Sequence, residues 1–104
     1  AANFSLFIKN RNLLDVANAR VSQIDQTLRT LKLIDREDIE QYDTNAHESL
    51  VSAKAAHESA QTSLSRLDNP AVTAQSLKNS FDHLSRAYDS FFKVSEAVKK
   101  ILPL

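Results

Sequence analysis

Six apolar residues in the first third of the chain, Leu14, Ala17, Val21, Ile24, Leu28 and Leu31, are spaced alternately by three and four. That rhythm keeps one apolar stripe on one face of a helix and suits packing against other helices. Two further runs repeat it: Ala46, Leu50, Ala53, His57, Ala60, Leu64 and Leu67, then Ala74, Leu77, Phe81, Leu84, Tyr88, Phe91, Ser95, Val98 and Leu102. The first stripe cannot continue into the second on one straight helix. Extended past Leu31 it falls on Asp35, Asp38, Tyr42, Asn45, Ser49 and Ser52, a mostly polar line. A turn near residues 33–36 restores the apolar face, with Asp35 as N-cap and Glu37 and Asp38 in a first turn where the helix dipole favours negative charge. A second break falls in "LDNPAV", where Asp68 or Asn69 can cap and Pro70 suits the first helical position.

These features predict an all-α fold, an antiparallel up-down-up three-helix bundle with left-handed coiled packing. The helices span about 3–33, 36–67 and 70–102 within a single domain, residues 1–104. Folding at the two turns sets up layers: Ile24 with Ala46 and Phe91; Val21 with Leu50 and Tyr88; Ala17 with Ala53 and Leu84; Leu14 with His57 and Phe81; Asn10 with Ala60 and Leu77. Bulky residues of the third helix tend to meet alanines of the second, the size complementarity that close packing needs. By length and topology alone the plan is similar to a spectrin-type repeat, although the tryptophans usual in such repeats are absent.

Composition narrows the function classes. The chain has no Gly, so phosphate-cradling loops, dinucleotide fingerprints and nucleophile elbows are missing. It has no Cys, hence no disulfide framework and no thiolate metal site. Thirteen Lys and Arg balance thirteen Asp and Glu, and without a basic excess no nucleic-acid partner is expected. No apolar run approaches the ~18 residues of a membrane span. Pro70 and Pro103 are the only prolines. The chain opens Ala1-Ala2-Asn3 without Met, small residues of the kind signal peptidase leaves, which tips the expected location toward secreted or periplasmic. Asn3-Phe4-Ser5 also fits the N-glycosylation pattern.

The string AHES occurs twice, at residues 46–49 and 56–59. Ten residues of helix separate His47 from His57 by ~15 Å along the axis and about 80° around it, so one ion cannot reach both. No metal, cofactor or catalytic residue is expected. The sharpest alternative joins His57 with Asp82 and His83 of the third helix, aided by Glu58, as ligands for zinc. Histidine phosphotransfer domains are bundles of similar length, but their phospho-accepting His is typically followed by Lys-Gly, a pair absent here. Ser is plentiful without a recognisable triad. Asn10 falls in a core layer, where a buried amide can fix register. Tyr42 is placed to face Ser95, and a buried neutral His57 would make stability pH-sensitive.

Partner binding is expected at the N-terminal "NFSLFIKN" and near Phe92. Phe4 and Phe7 can pack on Leu64, Leu67 and Val72, which turns Leu6 and Ile8 outward, and Phe92 lies off the stripe that holds Phe91. The expected function is a non-enzymatic protein–protein interaction or structural module that meets another protein, or itself, through Leu6, Ile8 and Phe92. The alternative is a bundle that carries an apolar ligand or binds a lipid surface.

Overall fold

The first two helices end without glycine, which the chain lacks altogether. In the computed structural model, which describes residues 2–102, α1 spans Ala2–Thr30, α2 Glu37–Ser65 and α3 Pro70–Ile101. Pro103 lies outside the described residues. Beyond α1, Lys32 takes a left-handed conformation with φ of 59°. Its N–H donates to the Arg29 carbonyl, and the Leu33 N–H donates to the Leu28 carbonyl at 2.8 Å. Beyond α2, Leu67 repeats the motif at φ 55°, with Leu67 N–H to Leu64 O and Asp68 N–H to Ser63 O. Both are Schellman caps, which most helices place on glycine because a side chain there is strained.

The helix starts differ from one another. Asn69 caps α3 as the sequence predicts, its Oδ1 accepting from Ala71 N–H at 2.9 Å, and Pro70 occupies the first turn. Asp35 does not cap α2. Arg36 holds that position in extended backbone, without a side-chain cap bond, because the first cap and its return use residues 31–36 rather than 33–36. The acidic turn Glu37, Asp38 and Glu40 follows as expected.

The three helices of 29, 29 and 32 residues run the length of a rod 53 × 19 × 17 Å, and each packs on the other two. The fold is a three-helix bundle. Asn3 Nδ2 donates to the Pro70 carbonyl at 3.0 Å, tying the start of α1 to the start of α3. The central core holds Leu14, Ala17, Val21, Ala46, Leu50, Ala53, Leu84, Ala87 and Phe91. Leu28, Leu33, Ile39, Val94 and Ala97 close one end, and Phe7, Ala60 and Leu77 fill the other. Each fully buried Leu contributes about 1.5–3 kcal/mol relative to exposure.

Most residues of the expected layers fall in the core clusters, with a rotation of α3. On α3 the buried line is Thr73, Leu77, Ser80, Leu84, Ala87, Phe91, Val94 and Ala97, so Ala87 replaces Tyr88 and the exposed Ala74 and Ser95 leave the core. Small residues let α3 approach α2 closely. Ser80 Oγ reaches the Ala53 carbonyl at 2.8 Å, and the Ser63 and Thr73 hydroxyls bond to each other. The bulky Tyr88 and Phe91, packed edge to face at 5.1 Å, lie on the side toward α1. Tyr42 therefore does not pair with Ser95. It packs at the bundle end, with Lys93 Nζ 5.9 Å above its ring. Leu67, expected under Phe4, is 90% exposed because its left-handed cap turns it away, and Phe4 and Val72 stay exposed with it.

Candidate functional site

Three places gather side chains with chemistry: an α1/α3 groove, a buried amide–imidazole network, and a carboxylate–imidazole cluster. The groove follows from the rotation of α3. Because Tyr88 and Phe91 stand between α1 and α3, an open trough of about 710 Å³ runs between those helices. Ile24, Leu28, Val94 and Val98 form its floor, with Tyr88 and Phe92 on its wall. Phe92 is 65% exposed. Among the described residues, Arg20 and Lys99 are the only charged ones that line it.

Phe92 is exposed as the sequence reading expects, and Leu6 is exposed too. Ile8 departs from that reading: it is half-buried against Phe7, Ala60 and Leu77, because the stripe at the start of α1 is wide enough to take it in. These three residues do not form one surface. Leu6 precedes Ile24 of the groove by eighteen residues, roughly 27 Å of helix. A second hollow near the bundle's other end is lined by Phe4, Leu64 and Leu67.

The buried network centres on Asn10, which is fully buried. Its Oδ1 lies 2.7 Å from His57 Nδ1 and 2.9 Å from Ser80 Oγ, and its Nδ2 has no partner. Ser80 has one proton and two acceptors in reach, Asn10 and the Ala53 carbonyl. With the amide turned over, Nδ2 donates to His57 Nδ1 and to Ser80 Oγ while Ser80 donates to Ala53, so that all three bonds form together and only Oδ1 is unpaired. His57 also stacks on Phe7 at 4.3 Å. Burial pushes its pKa below the ordinary 6.5, Arg11 pushes the same way, and Glu58 and Asp15 oppose them. The proposed meeting of His57 with Asp82 and His83 does not form. Asp82 pairs with Lys78 at 2.9 Å, and His83 Nδ1 faces Arg86 at 3.4 Å.

The third cluster joins α1 to α2. His47 Nε2 lies 2.7 Å from Asp25 Oδ2 and 3.7 Å from Asp43 Oδ2. The three residues each offer a ligand atom, all within 4.8 Å of one another. Asp25 Oδ1 and Asp43 Oδ1 are both buried without a partner. Burial, with the facing Asp25 carboxylate, raises the Asp43 pKa from 3.8 to about 6, against the pull of His47 and Arg29. The layer joining Ile24 to Ala46 carries the signal for this cluster, since Asp25 neighbours Ile24 while Asp43 and His47 flank Ala46 four residues apart.

Comparison with known protein families, with curated proteins and with solved structures gave no match.

Proposed function

We propose that this bundle is a non-enzymatic interaction module whose α1/α3 groove takes an amphipathic helix of a partner protein. The observation that carries this reading is the groove itself: an apolar floor, the exposed Phe92 on its wall, and only basic charge along it. Helix-in-groove recognition needs an apolar trough for anchors at i, i+3 or i+4 and i+7, with margins that select by charge. Arg20 and Lys99 match a helix carrying acidic residues beside its apolar stripe. Lys99 also contacts Glu96 at 3.4 Å, so Arg20 is the margin residue less engaged within the chain. The carrier alternative calls for a sizeable apolar cavity beside Ala46, Ala53 and Ala60. Those alanines are fully buried, with Leu50, Leu84, Phe91 and Leu77 in the same clusters.

The test is fluorescence anisotropy with two labelled helical peptides of equal apolar pattern, one with glutamates beside the stripe and one with lysines. The glutamate peptide binds more tightly, and Phe92→Ala and Arg20→Glu each weaken it by roughly tenfold or more. Equal binding of both peptides, or binding indifferent to Phe92→Ala, refutes the reading. So does a concentration-dependent doubling of mass that Phe92→Ala abolishes, which would make the occupant a second copy of this chain.

A further inference from the structure

We propose that Asp25, Asp43 and His47 form a binding site for a divalent transition-metal ion, with zinc the best fit. The donor set is two carboxylates and one imidazole, drawn from two helices that the bundle already holds in place. Asp43 and His47 are one turn apart on α2, so both side chains project from one face. Asp25 reaches them across the α1–α2 interface. Zinc, bound tetrahedrally through nitrogen and oxygen at about 2.1 Å, spaces its ligand atoms roughly 3.4 Å apart. The distances of 2.7 and 3.7 Å from His47 Nε2 bracket that spacing. Small side-chain rotations would therefore admit an ion where the Asp25–His47 hydrogen bond now lies.

Two observations beyond the grouping point to a cation. Asp25 is only 8% exposed, yet its Oδ1 has no hydrogen-bond partner. Asp43 Oδ1 is likewise buried and unpaired. A buried carboxylate oxygen ordinarily finds a donor, because leaving it dry is costly. Here two such oxygens belong to facing carboxyl groups, which can hydrogen-bond to each other only while one keeps a proton and repel each other once both are ionised. A divalent ion would satisfy both carboxylates at once. The His47 side chain is 48% exposed, which gives an ion a route in and leaves water a fourth position. Imidazole in the set favours zinc and its neighbours over magnesium or calcium, which prefer oxygen-only shells.

The experiment titrates the intact chain with Zn²⁺ near pH 7.5, following the imidazole NMR signals of all three histidines and the melting temperature. One equivalent of zinc should shift the His47 ring signals to saturation while those of His57 and His83 stay in place. At zinc 100-fold above Kd, Tm should rise by roughly 10 °C. His47→Ala and Asp25→Asn should each weaken binding by more than about 100-fold, beyond the roughly 10–100-fold that loss of an outer hydrogen-bond partner to a ligand costs. His83→Ala should change nothing. The site is overturned if zinc moves His83 rather than His47, or if stabilisation survives both Asp25→Asn and His47→Ala. The NMR readout uses the unaltered protein, so it decides the matter even if a variant fails to fold.

Discussion

Replacing Asn10 by Leu tests whether the buried network is coupled. The two side chains share a forked shape, so the change leaves no cavity; Leu is the larger, and the second variant below separates the polar term from that packing cost. Ser80 keeps the Ala53 carbonyl at 2.8 Å, so its hydroxyl stays satisfied. His57 loses its only Nδ1 partner in the core and stays buried against Phe7. An unpaired buried polar group costs about 1–3 kcal/mol, and Asn10→Leu is expected to destabilise by that amount even though it makes the core more apolar. Adding His57→Phe removes the orphan and keeps a ring to stack on Phe7. The double variant should therefore recover most of the loss, a coupling of about 1–3 kcal/mol in a double-mutant cycle. Urea denaturation at pH 8, where His57 is neutral, measures each midpoint. If Asn10→Leu alone raises stability, or if the two changes simply add, His57 does not depend on Asn10 and the network is only proximity.

The His57 environment also sets a pH dependence. Above pH 6.5 its imidazole is neutral folded and unfolded, and this contribution to stability is fully present. Below 6.5 the unfolded chain gains a proton that the folded chain resists, since burial lowers the folded pKa. Stability then declines by up to ~1.4 kcal/mol per pH unit until the folded pKa is reached. Asp43 acts in the opposite sense between pH about 6 and 3.8, so the His57 part is read as the difference between wild type and His57→Phe; a flat difference from pH 7.5 to 5 would refute it. Leu67→Gly relieves a left-handed residue that is 90% exposed and should raise stability by roughly 1 kcal/mol, seen as a Tm increase of several degrees; a decrease would mean that Leu67 buries surface worth more than its strain. Leu33, buried with Leu28 and Ile39, holds the first turn where residues 31–36 contain neither Gly nor Pro. Leu33→Glu should let α1 and α2 straighten into one rod and exchange between chains, doubling the mass in sedimentation, and a monomeric Leu33→Glu would show that the turn is held by other means.

The three helices were legible because phase is a global property: a stripe that loses its register must turn, whether or not a breaker is present. The layers followed from counting back across two turns. The rotation of α3 was not legible, because Thr73, Ser80 and Ser90 read as polar in a periodicity scan. They are buried because small hydroxyl side chains permit close helix approach and, at Thr73 and Ser80, find partners on α2. Asp35 was misplaced as a cap for a related reason: a Schellman motif built on Lys32 consumes residues that a simple turn would leave free. In the Asp25, Asp43 and His47 cluster, Asp25 and His47 lie one position off the counted layer and Asp43 one turn before His47, and attention to apolar residues alone passes over such neighbours.

Two helix ends closed by Lys32 and Leu67 in left-handed backbone have a consequence for how the chain can change. Each such residue forgoes about 1–2 kcal/mol, against a net stability of about 5–15 kcal/mol typical of a domain. Both side chains are exposed, and neither lines the α1/α3 trough or belongs to the Asn10 network or the paired carboxylates. A single-codon change at either could offset a substitution that weakens the interior. Substitutions in the trough or around the buried network could then accumulate without each having to be tolerated by the fold on its own.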